Sequence, residues 1–220
     1  MPTREELCGP ETTVFHQGER DKADLLAFER DGESPLIVKD FQHKTAWVRM
    51  VGRLMVSREV RAYEKLGAMP GIPRFAGRID ACALVIERID GTPLAFAPDR
   101  TQDGPGKLRQ LREILDRMHR VGIVHLDLRG RENVILDRHG RIYVIDFASA
   151  IWLRPGSWRH RLLFGWLAKM DEAAYLKWKT IVEAGPFTDE EQRFVDRFRM
   201  LRPLWFHRRQ AWRGKTRPRV

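Results

Sequence analysis

Within His125-Leu126-Asp127-Leu128-Arg129-Gly130-Arg131-Glu132-Asn133 a carboxylate, a cation and an amide stand a few residues apart. Asp146 follows Asn133 by thirteen positions, in Ile145-Asp146-Phe147-Ala148. These residue types suit phosphoryl transfer. Asp127 can receive a proton from an attacking hydroxyl, a cation can rest on the moving phosphoryl group, and Asn133 with Asp146 can hold Mg²⁺ through oxygen. Such chemistry asks little covalent work of a protein, so position and charge carry it. Arg129, two residues after Asp127, fits the cation's part, because a guanidinium can grip two phosphate oxygens. Its other reading is a salt bridge to Asp127 that only holds the loop. His125 reads as a hydrogen-bonding residue that fixes the loop rather than as a base.

The elements that must position these groups are legible nearby. Val134-Ile135-Leu136-Asp137 and Arg141-Ile142-Tyr143-Val144-Ile145, around the turn Arg138-His139-Gly140, predict a hairpin. Antiparallel pairing brings Asn133 and Asp146 together at its open end. Residues 11–41 read as three strands, around 13–15, 24–29 and 36–41, with Asp31-Gly32 turning the second into the third. Thr45 starts a predicted helix that runs to Leu66 and closes at Gly67. Pro70, Gly71 and Pro73 break the chain before strands at 74–79 and 83–89. Residues 99–106 are predicted to form a loop and 107–121 a helix with the stripe Leu108, Leu111, Leu115 and Met118. Further helices are predicted near 157–183 and 188–201. The stripe Trp158, Leu162, Leu163, Trp166, Leu167 and Met170 is expected to pack within the C-terminal half, with a membrane-surface helix as the alternative.

The chain of 220 residues is 43% apolar and 32% charged, an ordinary balance for a globular protein. It contains no run of eighteen apolar residues and starts without an apolar signal core, so a cytoplasmic location is expected. Cys8 and Cys82 offer neither metal-ligand spacing nor a disulfide framework. Of the net charge of +10, nine units fall in residues 193–220, where ten Lys or Arg meet one acid, Asp196. Basic residues mixed with Trp205 and Trp212 suit an anionic lipid surface; the same tail could also hold RNA by charge and stacking.

Taken in order, these residues resemble the protein-kinase-like superfamily: His125, Asp127 and Asn133 fall on its H-R-D-x-x-x-x-N loop, and Asp146-Phe147-Ala148 on its D-F-G triplet. The resemblance implies an α+β, two-lobed fold, with a small N-terminal antiparallel sheet plus one helix and a reduced, mostly helical C-terminal lobe. The lobes would span 1–90 and 91–204, with a basic tail at 205–220. It further implies ATP and Mg²⁺ as cofactors, and Lys39 in Ser34-Pro35-Leu36-Ile37-Val38-Lys39 as the phosphate-pairing lysine. Glu59 would be the partner of Lys39, favoured over Glu64 because helical spacing puts Glu64 on another face. By the same resemblance Gly18 lies in the loop covering the phosphates, and Glu87 and Ile89 present backbone groups to adenine.

Three departures stand out. Asn133 is six residues after Asp127 where the superfamily has five, so Gly130 is expected to bulge in a conformation closed to most residues. Ala148 replaces the glycine of the triplet, and no A-P-E segment follows Asp146. The pattern is most similar to the bacterial lipopolysaccharide-core sugar kinases of the Kdo and heptose group, with the RIO-type and allied atypical protein kinases as neighbours. The implied activity is transfer of the γ-phosphoryl group to a hydroxyl of a lipopolysaccharide-core glycolipid, at the inner face of the cytoplasmic membrane. The alternatives are a serine/threonine protein kinase with a protein acceptor, and an inactive kinase-like module that binds RNA or membrane.

Overall fold

Alternation of apolar residues builds the first layer. A computed structural model describes residues 1–183 and 186–201. The strands β1 (Thr12–His16), β2 (Asp24–Phe28), β3 (Leu36–Asp40), β4 (Phe75–Arg78) and β5 (Ala83–Glu87) form an antiparallel sheet in the order β1-β2-β3-β5-β4. Gly32, at φ 78°, turns β2 into β3 where Asp31-Gly32 predicts it. Successive side chains leave a strand on opposite faces. Leu36, Val38, Ala83 and Val85 therefore meet Leu7 and Phe28 on one face. Ile37, Leu84 and Ile86 meet the helix α1 (Ala46–Leu66) on the other. Lys39 shares the parity of Ile37, so the strand itself aims it at α1.

α1 buries Val56, Val60 and Tyr63 against that sheet and closes where Gly67 takes φ 59°. Beyond the connector come β6 (Gly91–Pro93), α2 (Gly104–Arg120), β7 (Ile123–Val124), β8 (Val134–Asp137), β9 (Ile142–Val144), β10 (Ile151–Trp152) and α3 (Gly165–Val182). The predicted hairpin is β8 and β9, and the N–H of Ile145 donates to the carbonyl of Asn133 across its open end (3.0 Å). The short strand β6, not foreseen from the sequence, extends this hairpin along β8. α2 begins at Gly104, inside the loop predicted for 99–106. Asp103 caps it by accepting the N–H of Gly106 (3.2 Å), and Pro105 sits in the first turn, where no N–H is needed.

The apolar stripe at 158–170 departs from expectation. Met170, Ala174, Trp178 and Val182 are buried, but Trp158, Leu162, Leu163 and Trp166 are exposed. The helical run starts with a wide turn at His160–Phe164, and burial against the core sets in at Met170. The described residues fall into two units, 1–183 and 186–201. In the second, α4 (Asp189–Leu201) opens on a reciprocal cap: Thr188 N–H donates to the Glu191 carboxylate (2.8 Å) and Glu191 N–H to the Thr188 hydroxyl (3.3 Å). The basic tail at 205–220 lies outside the described residues. No helix among those described is long and apolar enough to cross a membrane.

Tyr63 is fully buried, stacked on Phe75 and edge-on to Phe147, and its hydroxyl has no hydrogen-bond partner among the described residues. Burial pushes its phenol well above the ordinary range, and the charges of Glu59 and Asp146 add to this. An unpaired buried hydroxyl costs stability, so Tyr63→Phe should raise the unfolding free energy by about 1 kcal/mol. Urea denaturation measures it; a loss of stability would reveal a partner for that hydroxyl.

Candidate active site

The predicted lysine, glutamate and aspartate meet. Lys39 Nζ lies 2.6 Å from Glu59 Oε1 and 3.0 Å from Asp146 Oδ1, which joins β3, α1 and the end of the β8–β9 hairpin through one ammonium. Glu59 is buried, and Glu64 is exposed on the far face of α1. Burial works against the charge on Lys39, but Asp146 and Glu59 outweigh it and hold the ammonium above its ordinary range. Lys39 in turn holds Asp146 below the usual carboxylate range, against the effect of burial. Burial pushes Glu59 up, opposed by Lys39.

Asn133 folds back over the catalytic loop. Its Nδ2 donates to the carbonyl of Asp127 (2.7 Å) and to Asp127 Oδ2 (3.2 Å). With both amide hydrogens engaged, Oδ1 is the atom left to face a cation. Asn133 Oδ1 and the Asp146 carboxylate are hard oxygen atoms of the kind that could hold Mg²⁺. Asp127 itself is open to solvent. Desolvation of its carboxyl nevertheless moves it above the ordinary range, with Asp146 adding to this and His125, Asn133 and Lys177 opposing. An upward shift brings a general base closer to its working pH.

The extra loop residue is accommodated differently from expectation. Gly130 does not take a left-handed φ; the positive angles in this region fall on Leu126 (65°) and Asp146 (67°). Gly130 is required for space: a Cβ there would lie 2.6 Å from Asn133 Nδ2 and 2.9 Å from Asn133 Cγ. The asparagine recovers its reach by lying across a residue with no side chain.

Two non-glycine residues at positive φ need restraint, and α3 supplies it at one end. The N–H groups of His125 and Leu126 donate to Asp171 Oδ2 (2.9 Å) and Oδ1 (3.0 Å), and His119 Nε2 reaches the same Oδ2 (3.0 Å). The Trp178 indole N–H donates to the carbonyl of Leu128 (2.8 Å), and Lys177 donates to the carbonyl of Arg129. His125 is buried: its Nδ1 accepts the N–H of Asp127 (3.3 Å), which leaves Nε2 to donate to the carbonyl of Ile145 (3.1 Å). It holds the loop, as its sequence context predicts. Asp171, Lys177 and Trp178 were missed in the sequence. The available signal was one acid, Asp171, beside Met170 on the apolar stripe.

Gly18, Glu87 and Ile89 stand outside this hydrogen-bonded cluster, and Arg129 enters it through its carbonyl. The N–H of Gly18 donates to Asp24 Oδ1 (3.0 Å), its carbonyl accepts from Lys44 (3.0 Å), and a Cβ there would collide with the carbonyl of Ala23 at 2.1 Å. Glu87 N–H donates to the carbonyl of Arg74 (2.8 Å) and its side chain accepts the Arg74 N–H (3.0 Å). Ile89 is half-buried in the connector, and Arg129 is exposed on the catalytic loop.

The RIO domain family matches residues 22–162, well over half of the chain, including Lys39, Glu59, Asp127, Asn133 and Asp146. The chain belongs to the RIO domain family. RIO domains are atypical members of the protein-kinase-like superfamily, so the two-lobed α+β reading holds. The chain is also similar to 3-deoxy-D-manno-octulosonic acid kinases from two strains of Xylella fastidiosa. It is 32% identical to that of strain M12 and 30% to that of strain 9a5c, over 82 residues in each case. The matched stretch covers 37% of this chain and about a third (32%) of each relative.

Two outcomes test this geometry. Lys39→Met leaves Glu59 buried without its cation, which should cost about 3 kcal/mol at neutral pH. In the parent protein the depressed Asp146 contributes stability above the ordinary carboxylate range, and that stability is lost as pH falls through its lowered value. In the variant Glu59 loses the cation that opposes its upward shift, so stability should rise more steeply than in the parent as pH falls from neutral toward the ordinary carboxylate range. Chemical denaturation across pH reads the difference in slope; parallel curves would refute the coupling. Asp171→Asn turns an N–H donor toward the amides of His125 or Leu126 and should cost about 2 kcal/mol or more by the same denaturation.

Proposed function

We propose that this RIO domain is an ATP- and Mg²⁺-dependent phosphotransferase whose acceptor is a sugar hydroxyl of a lipopolysaccharide-core glycolipid. The observation that carries the reading is the open Asp127 carboxylate, oriented by the Asn133 amide and neighbouring the Lys39-bound Asp146. In the transfer, a bond forms between the acceptor oxygen and the γ-phosphorus, and the bond from that phosphorus to the ADP leaving oxygen breaks. The acceptor proton passes to Asp127, kept receptive by its raised pKa. Lys39 holds inner phosphate oxygens, and Arg129 steadies the moving phosphoryl group. Asn133 and Asp146 would hold Mg²⁺, which supplies positive charge against the charge developing on the phosphate oxygens. Gly18, in the β1–β2 turn, covers the phosphates, and the connector around Glu87 and Ile89 receives adenine.

The similarity to two 3-deoxy-D-manno-octulosonic acid kinases supports the sugar acceptor. The second reading, a protein kinase acting on serine or threonine, is supported by the RIO domain match itself. A glycolipid acceptor places the enzyme at the inner face of the cytoplasmic membrane, where the basic tail at 205–220 would meet anionic headgroups.

Transfer of labelled phosphate from ATP, offered core glycolipid and generic protein acceptors side by side, separates the readings. Label should enter the glycolipid; entry into protein alone would sink the sugar assignment. Asp127→Asn should lower turnover about 10²–10⁴-fold while leaving stability within about 0.5 kcal/mol, because its side chain is open to solvent. Asp146→Asn should abolish the metal-dependent rate, and a variant that retains it would refute the metal assignment.

A further inference from the structure

Residues 151–170 contain no Asp or Glu and carry Arg154, Arg159, Arg161 and Lys169. Within this stretch Trp158 and Leu162 are each 69% exposed, Trp166 52% and Leu163 41%. Two tryptophans and two leucines thus face solvent among cations, with no acid in the segment. The wide turn at His160–Phe164 sets Arg161, Leu162 and Leu163 side by side at the surface. The segment is anchored from within: Phe164 stacks on His160 (4.4 Å between centroids) and meets His119 edge-on (5.5 Å). His119 in turn binds Asp171, which holds the catalytic loop.

We infer that this face is a docking surface for an anionic lipid bilayer. A bilayer uses both parts of the patch. Headgroup phosphates pair with the cations, and the acyl boundary receives Leu162, Leu163 and the tryptophan rings, with Arg stems lying along apolar surface. The other occupants use only one part. Symmetric pairing with a second copy brings two cationic, acid-free segments together. RNA pairs with the cations but leaves the leucines in water. The inferred lipid contact follows from this surface and does not depend on the identity of the acceptor.

Its link to the acceptor rests on the glycolipid reading. From Trp166 to Trp178, whose indole holds Leu128, the helix rises by roughly 18 Å. A bilayer against Trp158 and Trp166 therefore puts the catalytic loop within a short span of lipid-linked sugars.

The test is co-sedimentation of the full chain with vesicles of phosphatidylcholine and phosphatidylglycerol, together with phosphorylation of glycolipid in those vesicles and of the free sugar. Trp158→Ser/Leu162→Ser/Trp166→Ser should weaken binding about tenfold or more and lower activity on vesicle-borne glycolipid. Its thermal midpoint and its activity on free sugar should be unchanged. Arg159→Glu/Arg161→Glu leaves the apolar face intact and should weaken binding to phosphatidylglycerol vesicles in particular, so the inference is tested even if the triple variant unfolds. Binding unaltered in both variants would overturn it. So would a self-association of the parent protein, or a salt-sensitive RNA complex, that the triple variant abolishes in place of vesicle binding. If neither protein phosphorylates glycolipid while the vesicle difference persists, the acceptor reading fails and the docking surface stands.

Discussion

One ammonium group sets the arrangement of the site. Lys39 comes from β3, Glu59 from α1 and Asp146 from the end of the β8–β9 hairpin, and their charges meet within 3.0 Å. Bringing Lys39 and Glu59 out of water is expensive, and the arrangement survives because each compensates the other and the half-exposed Asp146 adds a second carboxylate. If α1 turned about its axis, Glu59 would leave Lys39 and stand as a buried, unpaired acid. The same rotation would carry Tyr63 off Phe75 and Phe147. The ring column Phe75, Tyr63, Phe147 and His125 is therefore coupled to the ion pair through α1.

The catalytic loop obeys a second constraint. It lies between β7 and β8 and cannot satisfy its backbone groups by strand pairing, yet buried N–H and C=O groups need partners. Side chains of α3 provide them. Asp171 takes two amides, and Trp178 and Lys177 donate to two carbonyls. Asp171 and Trp178 are seven residues apart, two helical turns, so they project from one side of α3. Rigidity reaches the loop from its backbone, which leaves the Asp127 carboxylate open.

Local pattern made much of this legible in the sequence. Resemblance to the superfamily picked out Lys39, helical spacing chose Glu59 over Glu64, and hairpin pairing joined Asn133 to Asp146. Each inference spans a few residues or a single ladder. What escaped was set by contacts distant in sequence or by space. Asp171 lies more than forty residues from the amides it accepts, and no periodicity marks a buried acid as a partner for a loop. The role of Gly130 was assigned to torsion, because a glycine in a lengthened loop invites that reading, whereas crowding by Asn133 is the cause. The start of α2 was masked by Gly104-Pro105-Gly106, a composition that reads as loop until Asp103 is seen to cap it.

The helix that steadies the loop raises a question of where the working unit ends. Family similarity stops at residue 162, while the groups that satisfy the loop begin at Asp171. A fragment trimmed to the region of similarity would keep every motif residue and lose the carboxylate and indole that hold them in register. Inheritance and mechanics thus draw different borders on this chain. The segment beyond the recognisable family is free to vary in sequence only so far as it still returns an acid and two donors to the same few backbone atoms.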